Sequence, residues 1–318
     1  MNYMSLLSFL GDVFHHIQVS LFELIVSPSL RALDLAAFTE PAFDATELFL
    51  IGVLQIAAMW LILRPLELWR PAEAVESIAE RRTDVWYTLL HRLGGFALLS
   101  FAIISPILDS AEGGLRLLGI GRVQIDQLLG LSSQPLLLFF IYLIVLDFAD
   151  YWIHRAQHRL NLWWQLHALH HANTRMSLWS DNRNHMLDDL LRDCLLAVVS
   201  WFIGVEPAQY LVWVAVGRML QSLQHANVRL PFGWLGERLI VSPYFHRVHH
   251  GVSSGEEGRA AGCNFGVLLP WWDIVFGTAK YNAAIEPTGV RDQATGRQYG
   301  EGFWQQQYFG VLRLIGKA

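Results

Sequence analysis

The chain has 318 residues, 53% of them hydrophobic and only 16% charged, with a formal net charge of −5. The apolar share exceeds that of an average soluble domain and the charged share falls below it, which points to a membrane protein. The charges form no long run of one sign, so nothing in them suits nucleic acid. The two cysteines, Cys194 in an apolar stretch and Cys263 in a Gly-rich loop, do not make a disulfide framework.

Residues 5–27 mix apolar positions with Asp12, His15, His16 and Glu23, and no positively charged start or small-residue cleavage site precedes them. They are expected to form an interfacial amphipathic helix rather than a signal peptide or a span, with His15 and His16 at the membrane surface. Residues 48–63, apolar except for Gln55 and flanked by Trp60 and Trp69, make a first span. Residues 85–108 make a second, with Gly94 and Gly95 where a neighbouring helix can approach closely. His91, near its start, is expected to make an ordinary polar contact. A Gly-rich, charged connection over 109–134 leads to a third span, 135–153, with Pro135 suited to a first helical turn.

Asp147, Asp150, His154 and His158 follow at spacings of three, four and four. If the third helix runs on past the bilayer, they form one polar stripe, in which Asp147 and Asp150 would orient His154 and His158. A hairpin of two short apolar arms, 190–205 and 208–223 with Glu206 and Pro207 at its tip, then returns the chain to the side it left. The segments on either flank can therefore meet in one compartment. Arg64, Arg70, Arg81 and Arg82 lie in the first connection, and Arg155, Arg159, Arg175, Arg183, Arg229, Arg238, Arg247 and Arg259 lie around the histidines, whereas the 109–134 connection holds only Arg116 and Arg122. The positive-inside rule puts the histidines in the cytoplasm.

Ten of the 13 histidines fall between positions 154 and 250. Nine are clustered: His154 and His158 in HRAQH, His167, His170 and His171 in HALHH, His225 in QHAN, and His246, His249 and His250 in HRVHH. Spacings of three and four make imidazoles neighbours on a helix face. Imidazole suits iron, zinc, copper or nickel, and nine are too many for one ion, so two metals are the natural count. The expected fold is all-α: an integral membrane helical bundle with a cytoplasmic, histidine-rich, metal-binding helical cap.

H-x3-H at His154 to His158, H-x2-H-H at His167 to His171 and H-x2-H-H at His246 to His250 resemble the three histidine boxes of the fatty acid hydroxylase / sterol desaturase superfamily. Tyr151, Arg183 and His185, His225-Ala-Asn227, Asn264-Phe265-Gly266, Trp272-Asp273 and Phe276-Gly277-Thr278 support the resemblance, which covers roughly 147–278. The chain departs from the family at Met186, where proline is common, and at Gly262, where an acidic residue is common; every box histidine is in place.

The resemblance implies a non-haem di-iron oxygenase acting on a lipid in the membrane, holding two iron ions, with zinc able to replace them in purified protein. It implies ligation by the nine clustered histidines, with His185 as a tenth candidate, and hydrogen bonds from Asn227 or Asn264 next to the ligands. It divides the chain into an N-terminal interfacial helix and linker (1–45), the first transmembrane helices (46–134), the catalytic domain (135–280) and a C-terminal cytoplasmic tail (281–318). Breaking an unactivated C–H bond requires a strong oxidant made from dioxygen beside the substrate. No haem or flavin motif occurs, so electrons come from a separate protein, for which Arg155, Arg159 and Arg247 offer a docking face. Trp163-Trp164 and Trp271-Trp272 are candidates for an acyl entrance or interfacial anchors. Two other classes fit the histidines less well. A membrane zinc hydrolase lacks the general base of an H-E-x-x-H motif, and a metal transporter would carry its histidines along the spans.

Overall fold

A computed structural model describes residues 3–79, 81–252, 262–281 and 286–317; Arg259 lies outside them. Among the described residues the protein is all-helical, with one isolated antiparallel bridge between Gly251 and Thr288. Helix α1 (Tyr3–Leu21) runs through a π-helical turn, Phe22–Val26, into Ser27–Ala32. The continuous stretch Ser8–Ala32 is long and apolar enough to cross a membrane. Polar residues break the sequence pattern here, but the unbroken helix supplies the ~20 residues that a span needs. Three further helices meet the same measure of length and composition: Ala36–Trp69, which contains α2 (Thr39–Ala58), Gly95–Leu117 and Pro135–Arg159.

The expected span over 85–108 is divided. Helix α3 (Arg82–Arg92) ends before Gly94, whose φ of +86° is readily reached only by glycine, and α4 (Gly95–Leu117) starts after it. The reason is polar. Asp84, His91 and Arg92 of α3 are buried in a network with the rest of the protein, a role that lipid could not fill. Arg92 binds Gln55, Asp181, Ser222 and the carbonyl of Arg218. Beyond the break, α4 continues through Asp109 to Leu117, so the predicted 109–134 connection is half helix.

Helix α5 (Pro135–Arg159) is unbroken over 25 residues, about 37 Å at 1.5 Å per residue. It therefore joins an apolar end to a polar one on a single rod. Its apolar half packs on α7 (Met186–Ile203) and α8 (Pro207–His225) through Leu138, Tyr142, Leu146, Ile153, Leu196, Ile203 and Trp213. At its other end α5 turns at Leu160 into α6 (Asn161–His171). The hairpin tip is Gly204, in the left-handed conformation, with Pro207 opening α8. A short helix, α9 (Pro243–His249), is capped by Ser242 and carries the last histidine segment. Helix α10 (Phe303–Leu314) packs against α6, so the C-terminal segment is part of the body rather than a loose tail.

Candidate metal centre

Four elements deliver the nine clustered histidines to one buried region. The polar end of α5 brings His154 and His158, one helical turn apart. Helix α6 brings His167, His170 and His171, the last residue of α8 is His225, and α9 with its C-cap brings His246, His249 and His250. All nine are less than a tenth exposed. They sort into two tetrads that the linear order does not show: His154, His158, His171 and His249 in one, His170, His225, His246 and His250 in the other. Within each, one ring nitrogen per histidine lies within 4.8 Å of all the others. His167 stands beside the first tetrad, its ring 5.3, 4.9 and 5.2 Å from those of His154, His158 and His171, and meets the second through His170, 5.4 Å away.

Several rings are aimed by hydrogen bonds at Nδ1. His154 donates to the carbonyl of Phe265 and His249 to that of Cys263, each at 2.8 Å, and His225 donates to Gln221 at 2.9 Å. A carbonyl only accepts, so Nδ1 holds the proton in each and Nε2 keeps its lone pair. His167 donates from Nδ1 to Asp188 at 2.8 Å, and Asp188 also accepts from Gln157 at 2.6 Å and Trp163 at 2.7 Å. Burial pushes the Asp188 carboxyl upward, but His167 and these donors outweigh it and hold it below its ordinary value.

These contacts correct several sequence expectations. Asp147 does not reach a histidine; it accepts from the backbone of Leu268 and Leu269 and from Trp272 Nε1. Asp150 is bound by the Arg192 guanidinium. The polar stripe on α5 exists, but the aspartates face α7 and the 267–272 segment, and the orienting carboxylate comes from Asp188 on α7. An acidic pair, Asp188-Asp189, in the first turn of α7 was the signal that could have found it. Asn227 holds Ala72 and Glu73 and has no hydrogen bond to a histidine. Asn264 acts one step removed: at a φ of +56° it pins the loop to Phe245 and Lys280. Asp273 accepts from Phe265 and Gly266 of the same loop, whose Cys263 and Phe265 carbonyls aim His249 and His154. Gly262 belongs there because a Cβ would stand 2.6 Å from the Phe265 ring, leaving no room for an acidic side chain.

His185 lies outside both tetrads. Its Nε2 donates to the Gln307 carbonyl of α10 at 2.8 Å and its Nδ1 caps α7 by accepting from Leu187. Met186, where proline is common, uses its N–H to bind Gln307 Oε1. His91 makes the ordinary contact expected of it, to Asp189 and the Tyr87 carbonyl. Arg247 is buried and paired with Glu73, so it offers no docking face, whereas Arg155 lies over Tyr151 and Trp152. Of the tryptophans, Trp163 and Trp272 donate to buried carboxylates and Trp164 packs on His158 and His171.

The donor set fits metal ions. His158 and His171 have no hydrogen-bond partner at either nitrogen, nor do His167 and His249 at Nε2. Each such orphan costs about 1–3 kcal/mol unless something else binds it. The Nε2 atoms of His170 and His246 each stand 3.1 Å from that of His225, and that of His250 stands 3.1 Å from that of His246. With the His225 lone pair turned inward, the available protons cannot satisfy all three contacts well. Nitrogens sharing a first-row ion at about 2.1 Å stand roughly 3.0–3.4 Å apart, which matches. Burial among other imidazoles holds His170, His171, His246 and His250 well below the ordinary histidine range. Burial takes His249 down to about 3, although its bond to Cys263 opposes this. These rings are neutral at physiological pH, the form that ligates metal.

Comparison with known proteins agrees with this geometry. Residues 139–278 match the fatty acid hydroxylase family. The chain is 31% identical over 181 residues to the ornithine lipid hydroxylase OlsE of Rhizobium tropici, covering 55% of this chain and 52% of that protein. It is 31% identical over 135 residues to human alkylglycerol monooxygenase (42% and 28%) and 25% identical over 140 residues to the Delta(7)-sterol 5(6)-desaturase ERG3B of Gibberella zeae (44% and 41%). The matches thus span about half or less of these relatives. No solved structure matches the chain. The histidine segments lie in order inside the matched stretch and meet in space, so residues 139–278 are a fatty acid hydroxylase domain, similar to lipid hydroxylases and sterol desaturases.

Proposed function

We propose that the protein is a membrane-embedded non-haem di-iron oxygenase that hydroxylates or desaturates a lipid, using dioxygen and electrons from a separate protein. The observation that carries this reading is the convergence of two buried tetrads of neutral histidine with unmet ring nitrogens, next to helices apolar enough to lie in lipid. The relatives named above act on lipids, which supports the same substrate class. Two iron ions held by these tetrads would supply the hydrogen-abstracting chemistry that an unactivated C–H bond demands. His167, facing both tetrads, is the ninth ligand.

The chain's own part is positional. The carbonyls of Phe265, Cys263 and Gln221 and the Asp188 carboxylate keep protons on Nδ1 of four histidines, so that Nε2 stays a lone pair turned inward. Phe265 and Trp164, both buried against the histidines, keep water from one side. Residues 135–280 are the catalytic unit, and arginine asymmetry along the chain orients it toward the cytoplasm.

The experiment is turnover of a membrane lipid extract by protein purified without chelator, with mass spectrometry of the products. A gain of one oxygen identifies hydroxylation and a loss of two hydrogens desaturation. Product must require dioxygen and a reductant system. Equal product under strict anaerobiosis with no electron donor would replace this reading with metal-assisted hydrolysis.

A further inference from the structure

Helix α10 lies outside residues 139–278, and its two faces reverse the polarity expected of a helix beside water. Towards the protein it turns polar groups and a glycine: Gln306, Gly310 and Arg313 are buried and Gln307 is half-buried. Gln307 accepts at its carbonyl from His185 and at Oε1 from the N–H of Met186, and its Nε2 donates to the Tyr87 hydroxyl and the Asn184 carbonyl. Arg313 donates from Nε to the Gln165 carbonyl and lies over the Tyr299 ring. A Cβ at Gly310 would stand 2.1 Å from the His185 ring, so only glycine lets the helix come this close. The outward face carries Trp304, Tyr308, Val311 and Ile315, which are 81, 59, 41 and 58% exposed. At 100° per residue, spacings of four, three and four keep all four within about 60° of one another around the helix axis.

The attachments of α10 set its height. Gln157 of α5 donates to Asp188 of α7 at 2.6 Å, and Gln157 lies four residues past Ile153, the end of the expected span. That is about 6 Å beyond the span at 1.5 Å per residue. His185 and Met186, which hold Gln307, come just before Asp188, so α10 sits at the level of the lipid head groups, a layer roughly 5–8 Å thick on each side of the hydrocarbon. Its anchor point also opens onto an apolar line. Starting one residue after Met186, the outer face of α7 carries Leu187, Leu191, Leu195, Val198 and Phe202, between 37 and 46% exposed, down to the hairpin tip. The stripe on α10 begins with Trp and Tyr, whose apolar bodies and polar tips suit a boundary between lipid and water. Depth, continuity with the outer face of α7 and composition favour lipid over a second copy or a soluble protein as the partner of this face.

We propose that α10 is an in-plane docking helix whose Trp304, Tyr308, Val311 and Ile315 lie in the head-group and upper acyl layer of a phospholipid bilayer. Its inner face holds α6, which carries His167, His170 and His171, and the start of α7, which carries Asp188. Docking therefore ties these two helices to the lipid surface at a fixed height. The proposal does not depend on which reaction the histidines perform.

The test uses the full chain in phosphatidylcholine nanodiscs, in which both membrane faces are open to solutes. In the first arm the discs contain a phosphatidylcholine with a diazirine in its upper acyl chain, and the wild-type chain is irradiated, digested with trypsin and read by mass spectrometry. The peptide 298–313 should carry lipid adducts at Trp304, Tyr308 or Val311 rather than at Gln306 or Gln307. Labelling of the peptide 123–155, which contains the α5 span, without labelling of 298–313 would overturn the proposal, and this arm needs no variant to fold. In the second arm, Y308C and T174C in a background lacking Cys194 and Cys263 carry a fluorophore at exposed positions. The label at 308 should be quenched by brominated phosphatidylcholine and lose the iodide quenching that the label at 174 retains. Equal iodide quenching at both positions would place the stripe in water and overturn the proposal. Protection of 308 from both quenchers, with disulfide cross-linking of Y308C between two chains, would also overturn it by making the stripe a contact between copies.

Discussion

Replacing Asp188 by asparagine tests which carboxylate orients the metal centre. The Asp188 Oδ1 atom accepts from Gln157 and Trp163, and its Oδ2 accepts from His167 Nδ1. The amide of D188N can keep its oxygen toward Gln157 and Trp163 only by turning its NH2 group toward His167. His167 must then accept at Nδ1 and carry its proton on Nε2, where a lone pair is needed, or lose the hydrogen bond altogether. A charge-assisted hydrogen bond of this kind contributes about 1.5–3 kcal/mol, so iron affinity should fall about 10- to 100-fold. The assay is iron retention against a graded chelator, read by absorbance and elemental analysis on folded protein. D147N is the contrast. It disturbs acceptors for Leu268, Leu269 and Trp272 and touches no histidine, so it should lower the melting temperature and leave iron affinity within about threefold of wild type. Wild-type retention in D188N, or an equal loss in D147N, would refute this reasoning.

Elemental analysis of protein purified without chelator should give about two transition-metal ions per chain; one ion, or none after iron reconstitution, would overturn the two-tetrad assignment. H170A and H249A should abolish turnover and lower metal content, H15A and H16A should do neither, and H185A should lower the melting temperature through its lost cap and Gln307 contact while metal content stays unchanged. Folded His249 titrates near 3 against 6.5 in the unfolded chain, so between these values the unfolded state binds the extra proton. Stability of the metal-free protein should therefore be full above about pH 6.5 and fall below it, by up to about 1.4 kcal/mol per pH unit for each such histidine; a melting temperature that holds or rises from pH 7.5 to 5 would contradict this. In a background lacking Cys194 and Cys263, a cysteine at Gly113 should react with an impermeant reagent outside intact cells and one at Thr174 should not; the reverse pattern would invert the proposed orientation.

What was legible in the sequence was whatever helical periodicity and composition carry locally. A turn repeats every 3.6 residues, so spacings of three and four announced His154 with His158 and His167 with His170 and His171 as neighbours, and the apolar arms around Glu206-Pro207 announced a hairpin. Apolar composition likewise marked 48–63 and 135–153 as membrane-like. The tertiary structure decided which partner each polar group meets, because that depends on elements remote in sequence. Asp147 and Asp150 share the stripe with His154 and His158, yet meet Leu268 and Arg192; the carboxylate on His167 comes from Asp188, 21 residues away. The division of the histidines into two tetrads arises only where α5, α6, α8 and α9 cross, since it pairs His171 with His154 and His170 with His225 although His170 and His171 are adjacent. Adjacent residues on a helix point about 100° apart, so two neighbouring positions can serve two sites, and only packing determines which side chain goes to which.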